Sequence, residues 1–152
     1  MVETKKKKTT KKKHKKAPTD SRVWYHVDAK DKILGRLASQ VAVILRGKNK
    51  RTYSPDVNQG DFVVVTNAEK VKVTTKDKKY YHHTGFMGGI KETSLEVMRT
   101  KHPERLISIA VKGMLPSNKL KAQFLKALKI YVGEAHPHKA QKPKSVELRH
   151  HA

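Results

Sequence analysis

The chain has 152 residues, no cysteine, and 35 Lys and Arg against 13 Asp and Glu, for a formal net charge of +22. The lack of cysteine excludes a disulfide framework and a thiolate metal site, and it fits a reducing compartment. No apolar run approaches the ~18 residues of a membrane span. A charge imbalance of this size costs self-repulsion in the compact state and favours a polyanionic partner. Nucleic acid is the abundant cellular polyanion, and each phosphate contacted releases condensed counterions. A solubility device would need only a modest excess of either sign.

The charge is spread over the whole chain. Residues 1–22 hold ten basic side chains against Glu3 and Asp20, or +8, which leaves +14 for residues 23–152. With one Val, one Ala and one Met, the first segment cannot bury enough apolar surface to offset ordering. It reads as a polybasic arm, disordered until it lies on something acidic. A secretory signal needs an apolar run and a transit peptide favours Arg and Ser, whereas this segment is nearly pure Lys and Thr. Residues 23–133 form the folded domain, and 134–152, with Pro137, Pro143 and several His and Lys, form an extended tail.

Taken in chain order, Trp24 to Asp28 is a short strand ending in turn-forming residues. Leu34, Leu37, Ala38, Val41, Ala42 and Leu45 then recur at helical spacing, with Asp31 as N-cap and Gly47 just past the C-terminus. Arg46, Lys48, Lys50 and Arg51 cluster beyond it. One or two cations would complement the helix dipole; four in six residues point to a phosphate-facing loop. Phe62 to Val65 is a continuous β-branched run without alternation, suited to a parallel strand covered on both faces. Val71 to Thr74 alternates as a more exposed strand would. Lys76, Lys78 and Lys79 lead into an edge element at Tyr80-Tyr81-His82-His83. Thr93 and Glu96 have capping-box spacing for a short helix through Met98. Pro103 opens the next helix, with Glu104 in its first turn. Leu106, Ile107, Ile109, Ala110, Val111 and Met114 leave that helix little polar face, so Ile109 is expected in the core and Gly113 at a close backbone contact. Pro116 stops it. A further helix starts near Ser117 or Asn118, with Leu120, Phe124, Leu125, Ala127 and Leu128 as its core stripe. Ile130 to Gly133 is the last strand. Mixed strands and helices around a buried central strand predict an α/β layered domain.

Few residues offer catalytic chemistry. The glycine-rich loop Thr84-Gly85-Phe86-Met87-Gly88-Gly89-Ile90-Lys91 fails the Walker A pattern and the GxGxxG fingerprint. Its backbone amides are open either to RNA phosphates or to an ordinary turn. Adjacent His82 and His83 on a strand point to opposite faces and cannot act as a pair. His136 and His138, or His150 and His151, lack the ligand set of a dedicated metal site. No serine has a nucleophile-elbow context, and no cluster of acids and bases points to an enzyme. Trp24, Tyr80 and Tyr81 are either base-stacking or core residues.

The motifs together resemble the ribosomal protein L13 (uL13) family of the large subunit, in its bacterial form. The matching stretches are Trp24-Tyr25-His26-Val27-Asp28-Ala29, Leu34-Gly35-Arg36-Leu37-Ala38, Leu45-Arg46-Gly47-Lys48, Gly60-Asp61 and Asn67-Ala68-Glu69-Lys70-Val71. They continue with Tyr80-Tyr81-His82-His83-Thr84-Gly85, Val111-Lys112-Gly113-Met114-Leu115-Pro116 and the stretch from His136 to Pro143. They run collinearly over about residues 23–147. The Lys-rich arm and the Arg149-His150-His151-Ala152 end exceed the family pattern. The resemblance implies a three-layer α/β/α sandwich around a small, mostly parallel sheet. It also implies a structural constituent of the large (50S) subunit that binds 23S-type ribosomal RNA and acts early in subunit assembly. The expected partners are that RNA and neighbouring large-subunit proteins, in the cytoplasm, with no cofactor, metal, membrane or small-molecule substrate.

Charge and local structure nominate the RNA-contacting residues: Arg36, Arg46, Lys48, Lys50 and Arg51; Lys78, Lys79, Tyr81, His82, His83, Gly85 and Lys91; and Lys112, Lys119, His136 and His138. A DNA-compacting or RNA-chaperone protein would need the charge but not the ordered motifs. A nucleotide-using α/β enzyme would need a phosphate loop that the chain lacks.

Overall fold

The computed structural model describes residues 22–75 and 77–147. The arm apart from Arg22, Lys76 and residues 148–152 lie outside the described residues, and the expectation of a disordered arm falls there. In chain order the elements are β1 (Trp24–Asp28), α1 (Leu34–Arg46), β2 (Phe62–Thr66), a 3-10 turn (Ala68–Lys70), β3 (Lys79–His83) and β4 (Ile90–Ser94). They continue with α2 (Leu95–Lys101), α3 (Pro103–Met114), α4 (Lys121–Ala127), β5 (Leu128–Ile130) and β6 (Lys144–Ser145).

Val63, Val64 and Val65 are fully buried, and the strand that carries them has a parallel neighbour on each side. A non-alternating apolar strand requires cover on both faces, which an interior place in a parallel sheet supplies. The sheet order is β5-β2-β1-β6, with every pairing parallel. Helices flank it, giving the expected α/β sandwich. Val27, Val63 and Val65 join Leu37, Val41 and Leu45 of α1 and Leu106, Ile107 and Val111 of α3 in one aliphatic core. Alternation sends Trp24, His26, Val64 and Thr66 to the other face of the sheet.

The end of α1 is locked onto the start of β2. Gly47 takes φ 72°, its N–H donates to the Ile44 carbonyl at 2.9 Å, and the Lys48 N–H donates to the Val43 carbonyl at 3.1 Å. These two bonds form a Schellman closure, which needs a left-handed residue. The Ile44 carbonyl also accepts the Asp61 N–H at 3.3 Å. A Cβ on Gly60 would overlap the Leu45 carbonyl, so the two backbones meet where no side chain fits.

Several expectations are corrected. Asp31 does not cap α1. It adopts φ 60° and pairs with Lys72 at 2.9 Å, while the Leu34 N–H donates to the Lys72 carbonyl at 2.9 Å. A neighbouring backbone thus takes over the cap. Val71 to Thr74 is no strand but a single bridge, Ile33 to Lys72, with Val71 buried. Thr93 lies in β4 opposite Tyr80, and Ser94 precedes α2 without a side-chain cap, so no capping box forms. The second strand of that hairpin had no distinct pattern. The turn over 117–120 delays α4 to Lys121, and pairing with Val63 pulls Leu128 out of the helix into β5. The ladder ends at Ile130, although the Tyr131 N–H still donates to the Val65 carbonyl at 2.8 Å.

The largest correction concerns α3. Its buried residues are Pro103, Leu106, Ile107 and Val111, whereas Ile109 is 42% exposed and a Cβ on Gly113 would touch nothing within 4 Å. The helix is ordinarily amphipathic, and its second apolar stripe faces outward.

Urea midpoints test this packing. Ile107→Ala is expected to cost about 2–5 kcal/mol through lost transfer energy and a cavity, and Ile109→Ala well under half of that. Gly60→Ala should be destabilising by several kcal/mol, whereas Gly113→Ala should stabilise by about 0.5–1 kcal/mol, as alanine does in an unobstructed helix. Equal costs for Ile107→Ala and Ile109→Ala would contradict the placement of α3.

Candidate nucleic-acid interface

The loop after α1 divides its cations between two duties. Lys48 and Arg51 are exposed. Arg46 donates from Nη2 to the Tyr53 hydroxyl at 2.9 Å and sits 6.0 Å from the centre of that ring, so its guanidinium braces the loop. Lys50 is not a free loop cation. Its ammonium lies 2.5 Å from Oδ1 of Asp61, a carboxylate only 2% exposed, and the same oxygen accepts the Val23 N–H at 2.9 Å. A buried carboxylate is tolerable only when paired and hydrogen-bonded, so Lys50 helps neutralise Asp61 at the entrance to β1 and β2. Arg22 docks nearby, donating to the Asn58 carbonyl at 2.8 Å and lying 5.9 Å from the Phe62 ring.

β3 and β4 project a second basic group. Their antiparallel register sets Tyr81 opposite Glu92, His82 opposite Lys91 and His83 opposite Ile90. Lys79 pairs with Glu92 at 2.5 Å, which raises the Lys79 pKa through that hydrogen bond and charge. Lys78 lies 5.3 Å from the Tyr80 ring centre, while Tyr81, His82, His83, Gly85 and Lys91 are exposed. The glycine-rich loop is the hairpin's turn: the Thr84 N–H donates to the Gly89 carbonyl and the Gly89 N–H to the Phe86 carbonyl, both at 2.9 Å. The cations Arg36, Lys112 and Lys119 are exposed on α1, α3 and the turn before α4, separate from the hairpin in sequence.

His136 and His138 are half-buried and pack against the sheet. Trp24 stacks on Phe62 with ring centres 4.5 Å apart, and the His138 ring lies 4.9 Å from Trp24. His138 Nε2 shares a 2.9 Å hydrogen bond with the Tyr131 hydroxyl. His136 lies 5.3 Å from the His26 ring, and His26 Nε2 shares a 3.0 Å bond with Thr66 Oγ1. The segment after Gly133 therefore covers the second face of the sheet before β6 joins β1. Burial, then the neighbouring His136, lowers the His26 pKa, against an opposing pull from Asp28. Burial would raise the Asp28 carboxyl, but the Asn67 side chain, the Lys30 N–H and the nearby charges of His26 and Lys30 outweigh it and leave the pKa lowered.

Among the described residues no group of three or more His, Asp and Glu converges as a metal site requires, and no helix is long and apolar enough to cross a membrane. Sequence reasoning missed Asp61 as an organising residue, although Gly60-Asp61 stood out as a motif. It also gave no role to Phe86 and Met87, whose signal is two large apolar residues within a glycine turn.

Two measurements probe these assignments. Lys50→Gln should destabilise by about 1–3 kcal/mol, because a buried carboxylate loses its cation, whereas Lys48→Gln should stay within about 0.5 kcal/mol; equal denaturation midpoints would refute the distinction. For His26, the unfolded ring titrates near 6.5 and the folded ring lower. Its stabilising contribution is therefore complete above about 6.5 and is lost as pH falls through the folded value. Thermal midpoints between pH 8 and 5 should fall less steeply for His26→Gln than for the unsubstituted chain, and parallel curves would exclude the ring as the titrating group.

The family model described as "Ribosomal protein L13" matches residues 22–137. The chain is 58% identical over 130 residues to the large ribosomal subunit protein uL13 of Pelobacter propionicus, covering 84% of this chain and 92% of that one. It is 57% identical over 128 residues to the same-named protein of Desulfotalea psychrophila (82% and 90%) and 55% identical over 130 residues to that of Symbiobacterium thermophilum (84% and 91%). With a matched span from Arg22 to Pro137 that contains the parallel sheet through β5, the Asp61 junction and the basic hairpin, the chain belongs to the ribosomal protein L13 family.

Proposed function

We propose that this chain is a structural, non-catalytic constituent of the large ribosomal subunit, held on large-subunit ribosomal RNA by its exposed cations and entering early in subunit assembly. The observation that carries the reading is the unequal use of charge. Asp61 is held inside by Lys50 and the Val23 N–H, Asp31, Glu92 and Glu69 pair at the surface with Lys72, Lys79 and Lys70, and Arg36, Lys48, Arg51, Lys91, Lys112 and Lys119 are exposed. Among the described acids Asp61 alone is buried, and the excess of cations faces outward, which is the electrostatic footprint of a nucleic-acid binder. Phosphate contacts of this kind position a protein without reading base sequence. The place in the ribosome, and with it the bacterial cytoplasm, the neighbouring subunit proteins and the early role, rests on the family.

Sedimentation of cell extract tests the reading: the chain should travel stoichiometrically with large subunits at moderate salt, and recovery with the nucleoid or as free protein would overturn it. In filter binding to transcribed large-subunit ribosomal RNA, Lys48→Gln with Arg51→Gln should flatten the dependence of log K on log salt by about 0.7–0.9 per lost phosphate contact. Removing residues 1–21, which carry nine Lys, should flatten it further. Unchanged slopes would place these cations away from RNA.

A further inference from the structure

The tip of the β3–β4 hairpin combines features that a plain turn does not require. Phe86 is 79% exposed and Met87 fully so, with Tyr81 and Ile90 also exposed behind them. The loop is nonetheless tightly built. Gly85 and Gly88 take φ 94° and 67°, and the Gly89 carbonyl accepts both the N–H (2.9 Å) and Oγ1 (3.2 Å) of Thr84. A Cβ on Gly89 would collide with the Thr84 side chain and would lie 2.8 Å from the Phe86 carbonyl. The closure therefore depends on glycine, and it presents Phe86 and Met87 to solvent instead of letting them fold back on the domain. Preorganised presentation of apolar side chains lowers the ordering cost of binding.

The surrounding charge identifies the partner class. Between Lys78 and Ser94 the one acid is Glu92, already paired with Lys79 at 2.5 Å, while His82, His83 and Lys91 are exposed beside the tip. An apolar tip on a basic stem fits a polyanion with π faces better than it fits an apolar protein groove. We propose that Phe86, flanked by Met87, stacks on an unpaired base of large-subunit ribosomal RNA while Lys91 and the histidines meet the adjoining phosphates. Unstacked RNA bases are commonly received by aromatic faces, and stacking tolerates any base because every base has a π face.

This inference rests on the ribosomal RNA reading above, and the test separates the two. The full chain is titrated with transcribed large-subunit ribosomal RNA at several salt concentrations, alongside Phe86→Ala, Phe86→Tyr and Lys91→Gln. Phe86→Ala should bind about tenfold more weakly at every salt, as loss of a stacked base does. Its salt slope should be unchanged because no phosphate contact is lost. Phe86→Tyr should retain affinity, and Lys91→Gln should flatten the slope. Phe86→Ala binding within twofold of the unsubstituted chain overturns the stacking contact and leaves the RNA reading standing. Failure of the unsubstituted chain to bind overturns both. A Phe86→Ala variant that binds RNA normally but fails to enter subunits would put a neighbouring protein at the tip and also overturns the proposal.

Discussion

Asp61 holds together the parts of the molecule that everything else is measured from. Its carboxylate accepts the Val23 N–H that leads into β1 and the ammonium of Lys50 from the loop after α1, while its own N–H bonds to the Ile44 carbonyl at the end of that helix. A carboxylate this buried would be costly alone, since desolvation of a charge must be offset by close partners. Gly60 supplies the other half of the constraint by letting the backbone pass against Leu45 where a side chain would collide. Together the two residues place the start of β2 against the end of α1. β2 in turn sets the register of β1 and β5. The exposed cations Lys48 and Arg51 inherit their position from this junction.

The sheet built on that junction has faces of different chemistry. One carries Val27, Val63 and Val65 into a single aliphatic cluster with α1 and α3. The other carries Trp24, His26 and Thr66 under His136 and His138. Aliphatic packing is non-directional, whereas the second face is held by ring contacts and hydrogen bonds with defined geometry. The segment after Gly133 is thereby tied to the sheet and delivers β6 to the open edge of β1. Protonation of His26 would place a charge beside His136 in a partly desolvated site, which is why its pKa lies below the ordinary value.

Charge is organised around the same frame. Acids are few, 13 against 35 Lys and Arg, and of the described ones Asp61 alone is buried, so the outward field is set by the excess of lysine and arginine. Net charge far from zero destabilises a compact state through self-repulsion. A polyanionic partner removes that repulsion and stabilises the folded chain by mass action. The hairpin shows the arrangement on a small scale, with Glu92 fastening Lys79 within the stem and leaving Lys91, His82 and His83 outward.

What the sequence determined by itself is what local pattern and composition determine. The continuous run Phe62 to Val65, the apolar stripe of α1 with its Gly47 terminus, and Pro103 at the first turn of α3 are where the pattern puts them, because strand and helix periods and cap chemistry act over a few residues. The surplus of positive charge, and the collinear motifs that mark the family, were legible for the same reason. The tertiary structure alone decided which of two apolar stripes on α3 is buried, since Ile107 and Ile109 are equally hydrophobic and only the neighbouring α1 and sheet distinguish them. It gave the cap of α1 to the Lys72 carbonyl in place of Asp31, a partner 38 residues from Leu34 that local chemistry cannot foresee. It drew Leu128 into the sheet, recruited Lys50 to a buried carboxylate and set His136 and His138 against Trp24 and His26. Each of these depends on a residue distant in sequence, and packing and desolvation outweigh local propensity wherever distant segments compete for the same group.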